Sequence, residues 1–254
     1  LNSRSARFPN GIGNGSGQLG RNVMDHCFLA GANATFTTHA NKRTYGNRPN
    51  GVYVARFRNV KDKHPDFVRG YGCQGGASQA DWGRGAWTAG FGADFKAQLI
   101  RDMGPWSFWM SGFGECLPNP DNLVELDPTV KDKWGIPALR INVAFGPNEE
   151  AMTKDMAVTC AEMLEAAGAS GVRPFNDKST PGLCIHEMGT ARMGRDPKTS
   201  VLNGWNQAHE VPNLFVTDGA CMASSACQNP SITYMALTAR AAAHAVGELK
   251  RRSL

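Results

Sequence analysis

Two stretches in the second half of the chain carry apolar residues at the spacing of a helix. The first runs from Asn148, a residue type that caps helix starts well, to Gly168, a residue type that ends them. The second runs from Pro230 to about Leu249, and a proline in the first helical position loses no hydrogen bond. We expect the first stripe to pack in the core: Met152, Met156, Cys160, Met163, Leu164 and Ala167. We expect the second to lie against a neighbour: Ile232, Met235, Ala236, Ala239, Ala242, Ala243 and Val246.

Short runs of β-branched and aromatic residues, separated by turn residues, follow one another between residues 51 and 145. Because short strands with tight connections pair in opposite directions, we expect an antiparallel sheet. The strands are predicted at residues 51–60, 67–71, 107–114, 122–126 and 138–145. Four aromatic residues could wall a pocket, although packing in the sheet core is the favoured interpretation: Trp106, Phe108, Trp109 and Phe113.

An apolar run before the second helix predicts a buried strand at residues 213–217, which ends at Asp218 and Gly219. Ligands of open α/β sheets bind beyond the carboxyl ends of such strands. The helix that begins at Pro230 directs free N–H groups and a partial positive charge at whatever precedes it. It would therefore stabilise an anion, or a ring that becomes anionic on reduction. The alternative is that Asn229 only caps this helix with its side chain.

Composition and charge restrict the class of partner. The chain has 254 residues, of which 41% are hydrophobic and 19% charged, as in a globular protein, and its net charge is +5. No block of five or more like charges is present, so nucleic-acid binding is not expected. No apolar run approaches the roughly 18 residues of a membrane span, and no basic-then-apolar leader is found. We expect a soluble protein of the cytoplasm or the periplasm, without deciding between the two.

The start of the chain is rich in glycine. Residues 11–20 contain a formal G-x-G-x-x-G at Gly15, Gly17 and Gly20. That motif binds a dinucleotide when a strand leads in and a helix leads out, and neither pattern flanks it, so we interpret it as an ordinary loop. The chain opens at Leu1 rather than at a methionine. We therefore expect a processed start or the carboxy-terminal piece of a longer protein.

The reactive side chains of the sequence are its cysteines, histidines and serines. The seven cysteines are irregularly spaced and form no C-x-x-C pair, so we expect no zinc site and interpret most of them as buried small residues. His186 lies in apolar surroundings, where it is either a hydrogen-bonded core residue or a base that titrates near neutrality. No G-x-S-x-G elbow supports a hydrolase, and nothing assigns Ser224 or Ser225 a strand-to-helix turn.

Several motifs resemble the glucose–methanol–choline (GMC) oxidoreductase family. The most specific is His-Glu-Met-Gly-Thr-Ala-Arg-Met-Gly at residues 186–194. Further matching segments lie at residues 20–26, 119–127, 200–203, 213–220 and 229–233. The resemblance therefore extends over nearly the whole chain.

In that family FAD lies between a dinucleotide-binding domain and a sheet-based substrate domain, and a histidine acts together with a second histidine or an asparagine. The resemblance implies that His186 takes the proton of a substrate CH–OH group while hydride passes to flavin N5. It implies that Asn229 holds the same oxygen by a hydrogen bond. It also implies that three residues lie along the pyrophosphate and ribityl chain of FAD: Asp218, Gly219 and Ala220. Three others would lie near the pyrimidine ring of the flavin: Asn229, Pro230 and Ser231.

The expected fold class is α/β (α+β), with an antiparallel-sheet substrate domain and the carboxy-terminal part of a Rossmann-like FAD-binding domain. Residues 1–45 would be a remnant of the FAD domain with a connecting loop, 46–176 the substrate-binding domain, and 177–254 the return to the FAD domain with the catalytic pair. The family's amino-terminal strand, glycine loop and helix, which grip the ADP half of FAD, are not found in this sequence. We expect an amino-terminal FAD-binding half as a partner, and a chain that alone binds FAD poorly and is inactive.

The resemblance implies oxidation of a sugar or another alcohol, with a pyranose-like substrate favoured, and a cytochrome or a quinone as possible electron acceptor. The alternatives are a hydroxynitrile-lyase-like member of the same family and a non-catalytic binding fragment. No metal ion is expected.

Overall fold

A computed structural model describes residues 1–38, 40, 42, 51–79 and 82–253 of the chain. Within these residues it contains strands β1 His26–Cys27, β2 Ala30–Phe36, β3 Gly51–Val54, β4 Tyr71–Gln79, β5 Trp106–Glu115, β6 Leu123–Lys131, β7 Pro137–Asn142 and β8 Ser170–Asn176. The α-helices are α1 Gly92–Arg101, α2 Pro147–Ala166 and α3 Ser231–Lys250, with short 3-10 helices at Trp82–Ala86 and Gly219–Cys221.

The chain forms two compact units from interleaved segments. One unit comprises residues 1–27, 115–149 and 179–254, and the other comprises residues 28–114 and 150–178. We call the first of these, with three segments, the discontinuous unit and the second, with two segments, the sheet unit. The expectation of a mixed α and β structure with antiparallel sheets is confirmed, whereas the functional domains assigned from the sequence stay a prediction.

The sheet unit is built on antiparallel strands in the order β3, β4, β5, β2, β8. β2 pairs with β5 from Gly31 opposite Ser111 to Phe36 opposite Trp106. The α2 helix approaches this sheet closely at Gly112, because a Cβ atom there would collide with Met156. Most buried strand residues are small: Ala30, Ala32, Ala34 and Cys73.

Three of the predicted strands are confirmed with shifted bounds. They are residues 107–114 in β5, 122–126 in β6 and 138–145 in β7. The strand predicted at residues 51–60 ends early, because β3 stops at Val54. β2, β8 and α1 were not predicted, since their sequences are dominated by small or polar residues rather than by a regular apolar period.

The strand predicted at residues 67–71 is wrong, because only Tyr71 belongs to a strand. Arg69 has φ of +68°, in the left-handed region that a strand residue does not adopt. The side-chain amide of Asn59 donates hydrogen bonds to the backbone oxygens of Phe67 at 3.0 Å and Arg69 at 2.7 Å. These bonds hold the segment as a loop in place of a strand ladder.

The α2 helix is confirmed, but Asn148 does not cap it, because the helix already begins at Pro147. Glu149 reaches back instead and accepts the backbone N–H groups of Gly146 and Leu117, each at 2.9 Å. A first-turn carboxylate therefore takes the role predicted for the asparagine. The predicted apolar stripe is confirmed as core at four positions: Met152, Met156, Cys160 and Leu164.

The discontinuous unit contains the β6–β7 hairpin, several long loops and α3. Its predicted strand at residues 213–217 is wrong, since the segment's one strand-like pairing among the described residues is a bridge between Phe215 and Gln207. Leu214 and Val216 are half-buried and pack against a small apolar cluster. The apolar run therefore indicated contact with a core, but not the pairing of a strand.

The α3 helix is confirmed, and it begins one residue after the predicted start. Its packed side carries Leu237 and the buried Ala241. The face predicted to lie against a neighbour is exposed within this chain, with Ile232 78% and Met235 70% accessible, so that expectation is wrong for contacts inside the described residues. None of the helices in the described part of the chain has both the length and the apolar character of a membrane span.

The glycine-rich segment is a loop, as predicted, because the described strands begin only at His26. The carboxylate of Glu210 accepts the backbone N–H of Gly15 at 3.0 Å. An acidic side chain therefore binds the N–H group that a dinucleotide phosphate would need.

Candidate active site

Three segments of the discontinuous unit meet around His186. Met24 and Met188 exchange two backbone hydrogen bonds of 2.9 Å, which join the segment before β1 to the segment after His186. Gly189 donates to the backbone oxygen of Gly219 at 3.2 Å. The same ladder continues from Ala191 to Ala220 at 2.8 Å and from Met193 to Cys221 at 2.9 Å. The segments that contain His26, His186 and residues 218–220 are thus fixed side by side.

Asp25 is the centre of this arrangement and is only 1% exposed. Its Oδ1 accepts the backbone N–H of His26 at 2.7 Å and that of His186 at 3.3 Å. Its Oδ2 accepts the backbone N–H of Cys184 at 2.8 Å. Ile185, between the two bonded positions, has φ of +60° and points to solvent. One buried carboxylate therefore shapes both backbone segments that carry histidine.

His186 and Asn229 lie together, although they are 43 positions apart in the chain. The side-chain nitrogen of Asn229 is 3.4 Å from Nε2 of His186. Asn229 is not the capping residue of α3, because Pro230 holds that position and the helix has no side-chain cap. The helix-capping alternative is therefore not what the structure contains, and the amide of Asn229 faces the imidazole.

His26 is a third polar member of the site that the sequence did not single out. Its Nδ1 is 3.1 Å from Nδ1 of His186, and the two ring planes are inclined by 62°. Burial and then the nearby charge of His186 lower the pKa of His26 to about 4, against the opposing effect of a backbone hydrogen bond with Ala226. His26 is therefore neutral at physiological pH. The only sequence signal for it was its place in the matching segment at residues 20–26.

Cys184 completes a cluster of soft donor atoms. Its Sγ is 3.7 Å from Nδ1 of His186, and one ligand atom each from His26, Cys184 and His186 lies within 4.8 Å of the others. Such a set could hold a soft divalent metal ion. Burial, with the charges of Asp25 and Glu187, raises the pKa of the Cys184 thiol to about 12, so this environment favours the thiol over the metal-binding thiolate. The expectation that the protein has no metal stays a prediction.

The predicted cofactor residues lie at two helix starts. Asp218 caps the 3-10 helix Gly219–Cys221, and its Oδ1 accepts the N–H of Ala220 at 2.9 Å. Gly219 is buried, and a Cβ atom there would collide with the backbone oxygen of Glu187. The other group, Pro230 and Ser231, stands at the start of α3. Their role toward a cofactor stays a prediction.

Gly189→Ala is expected to destabilise the chain by about 3 kcal/mol or more. Gly189 has φ of +98°, and an added Cβ would collide with the backbone oxygen of Asn22. Gly182→Ala is the matched control, because Gly182 has φ of +86° but open space around its Cβ position, and should cost only about 1 kcal/mol. Urea unfolding of the two variants measures the difference. Equal losses would show that the approach of residue 189 to residue 22 is not tight.

His26 is expected to make the chain less stable in acid. Its folded pKa of about 4 lies below its ordinary value of 6.5, so the unfolded chain binds the proton more readily. The neutral ring of His26 therefore contributes to the free energy of unfolding. This contribution is fully present above pH 6.5 and is lost as the pH falls toward 4, by about 3 kcal/mol in total. The groups near the ring are His186, Cys184 and the backbone of Ala226, and Asp25 accepts the backbone N–H of His26.

Urea unfolding of the wild type and of His26→Asn over this pH range tests that contribution. The variant should lose less stability in acid than the wild type. Parallel pH profiles would contradict the assignment, and His244→Gln, at a ring that stacks on Trp205, serves as the control histidine substitution.

Comparison with known proteins places this site in a family. Residues 118–238 match the family model described as GMC oxidoreductase. The chain is 33% identical over 250 residues to the 2-methyl-1,2-propanediol dehydrogenase of Mycolicibacterium austroafricanum, covering 95% of this chain and 44% of that protein. It is 29% identical over 247 residues to the fructose dehydrogenase large subunit of Gluconobacter japonicus, covering 96% and 44%.

A solved structure, pyridoxine 4-oxidase from Mesorbium loti, shares the fold with a TM-score of 0.50 and 16% sequence identity, covering 89% of this chain and 43% of that one. The chain thus spans less than half the length of each of these three proteins. The match of the family model includes the segment that carries His186, Asp218 and Asn229. The resemblance noted in the sequence is confirmed, and residues 118–238 match the GMC oxidoreductase family.

Proposed function

We propose that the chain is the carboxy-terminal part of an FAD-dependent oxidoreductase that oxidises a CH–OH group of a sugar or another alcohol. The observation that carries this proposal is the contact between His186 Nε2 and the side-chain amide of Asn229, at 3.4 Å. Both groups belong to the family's matching motifs, and together they offer a base and a hydrogen-bond donor to one oxygen atom.

His186 removes the hydroxyl proton of the substrate through Nε2. Asn229 donates a hydrogen bond from its amide to the same oxygen and so holds the alcohol for deprotonation. The alcohol loses this proton and a hydride from carbon, which leaves a carbonyl group. A bound flavin supplies the acceptor for that hydride and its two electrons.

The residues at the two helix starts fit such a group. α3 has no side-chain cap, so its first turn has N–H donors and a partial positive charge for the edge of a ring that gains negative charge. The exposed carboxylate of Asp218 suits hydroxyl groups of the ribityl chain better than a phosphate, which it would repel. We therefore assign Asp218, Gly219 and Ala220 to the ribityl side, and Pro230 and Ser231 to the pyrimidine ring.

The exposed face of α3, which includes Ile232 and Met235, supports an amino-terminal FAD-binding half as the partner that covers it. The similar proteins named for a diol and for fructose support a polyhydroxylated or branched small alcohol as substrate. A cytochrome or a quinone is the proposed electron acceptor. The chain without its partner half is proposed to be inactive.

Anaerobic mixing tests the proposal in an FAD-loaded protein that contains this chain together with an amino-terminal FAD-binding half. Sugars and small diols are added while the flavin absorbance is followed. Bleaching is expected with at least one of these substrates. Release of cyanide from a cyanohydrin without bleaching would favour a lyase, and neither response across both sets would favour a non-catalytic module.

A further inference from the structure

His26 and His186 face each other through the same ring nitrogen, Nδ1, at 3.1 Å. Two imidazole nitrogens at this distance form a hydrogen bond only when one carries a hydrogen and the other has a lone pair. The ring centroids are 4.8 Å apart with an edge-on inclination of 62°, so the contact is not a stacking of faces. The pair therefore has a direction, with one donor and one acceptor.

The contact on the Nε2 side of His186 indicates which of the two histidines is the donor. The amide nitrogen of Asn229 lies 3.4 Å from Nε2 of His186 and donates toward it, so Nε2 has the lone pair. A neutral imidazole with a lone pair on Nε2 carries its hydrogen on Nδ1. His186 is therefore the donor in the contact with His26, and Nδ1 of His26 is the acceptor.

The surroundings of His26 keep its ring neutral. The side chain is buried, and its pKa lies at about 4 because of burial and the charge of His186. A neutral His26 with a lone pair on Nδ1 carries its hydrogen on Nε2. Asp25 accepts the backbone N–H groups of both histidines, which keeps the two segments, and with them the two rings, in register.

We propose that His26 is a positioning residue that fixes the tautomer of His186, by accepting its Nδ1–H and so leaving Nε2 as the basic nitrogen. The inference rests on the proposed function of His186 as a base, but the tautomer exists in the protein without substrate or turnover. When Nε2 of His186 takes a proton, both of its nitrogens carry hydrogen, and the bond from Nδ1 to His26 becomes charge-assisted.

Cys184 is the competing neighbour. Its thiol, 3.7 Å from Nδ1 of His186, would favour the opposite tautomer if it donated its hydrogen there. A thiol is a weak donor, and an imidazole nitrogen at 3.1 Å is the stronger partner, so His26 decides the tautomer. A metal ion held by the three residues would instead remove the hydrogen from Nδ1 of His186 altogether.

Nitrogen NMR of the full 254-residue chain, labelled with ¹⁵N-histidine and dialysed against a chelator, tests the proposal. The spectrum distinguishes hydrogen-bearing from lone-pair ring nitrogens, and the signals that disappear in His186→Gln identify His186 among the six histidines. At about pH 8, His186 should carry hydrogen on Nδ1 and a lone pair on Nε2. Hydrogen on Nε2 in the wild type, or no hydrogen on either nitrogen, would overturn the proposal.

Three variants distinguish the effect of His26 on the tautomer of His186 from the effect of Cys184. His26→Leu removes the acceptor at similar size and should lose an about tenfold preference for the Nδ1–H form. His26→Asn keeps an acceptor oxygen close to the former Nδ1 position and should retain that preference. Cys184→Ala should also retain it, and a reversed tautomer in this variant would assign the role to the thiol.

If the wild type has the expected tautomer and His26→Leu has the same one, the role proposed for His26 is wrong. This result is independent of any failure to bleach flavin, which would instead count against the proposed function.

Discussion

Asp25→Ala is expected to lower the free energy of unfolding by about 3–6 kcal/mol. The carboxylate accepts three backbone N–H groups, from His26, Cys184 and His186, and is itself 1% exposed. Each buried donor left without a partner costs about 1–3 kcal/mol. A chain with the usual 5–15 kcal/mol of stability would lose a large part of it. Urea unfolding followed by tryptophan fluorescence measures the loss.

Asp132→Ala is the matched control for that experiment. Its Oδ1 accepts the backbone N–H groups of Trp134 at 2.8 Å and Ile136 at 2.9 Å, but in an exposed turn where water replaces the lost acceptor. The loss at residue 132 should therefore be much smaller than at residue 25. Asp25→Asn, which keeps one acceptor oxygen, should fall between the two. Equal losses at residues 25 and 132 would contradict the central place given to the buried carboxylate.

His186→Ala is expected to slow flavin reduction by about 10²–10⁴-fold in an FAD-loaded protein that contains this chain. General-base catalysis by a positioned side chain contributes this much, and we propose Nε2 of His186, 3.4 Å from the amide nitrogen of Asn229, as the base. Anaerobic stopped-flow mixing with saturating substrate measures the rate constant of reduction. Saturation separates this effect from weaker substrate binding.

His244→Gln is the control for the kinetic experiment, because that ring stacks on Trp205 with centroids 4.7 Å apart and belongs to no part of the proposed site. It should reduce flavin at the wild-type rate. Asn229→Ala should slow reduction less than His186→Ala, because it removes a hydrogen bond but leaves the base. An unchanged rate in His186→Ala would refute the assignment of the base.

The regular elements could be predicted because their information is local. α2 and α3 have apolar residues at helical spacing, and the β6–β7 hairpin has turn residues between β-branched runs. β2 escaped prediction because its sequence, Ala-Gly-Ala-Asn-Ala-Thr-Phe, has little β propensity and becomes a strand only by pairing with β5 and β8. β8 contains Pro174, which also argues against a strand when read alone.

The residues of the site also divide into those with a local sequence signal and those whose role depends on long-range contacts. His186 and Asn229 could be named from motifs, and the structure brings them together. The roles of Asp25 and His26 could not be read from the sequence, because their bonds to Cys184 and His186 span 159 and 160 positions. A buried carboxylate that accepts backbone N–H groups leaves no pattern along the chain. Such residues become visible only when the loops that they join are placed next to each other.

The facing pair of histidines also limits how many protons the proposed site holds. In the proposed function His186 takes one proton from the substrate, and burial with the charge of His186 holds the pKa of His26 at about 4, so His26 does not take a second proton at neutral pH. The pair then holds one proton at a time, and His186 has to release it before it deprotonates another alcohol. The side chain of Asn229, 3.4 Å from Nε2 of His186, is exposed, so this release takes place next to solvent.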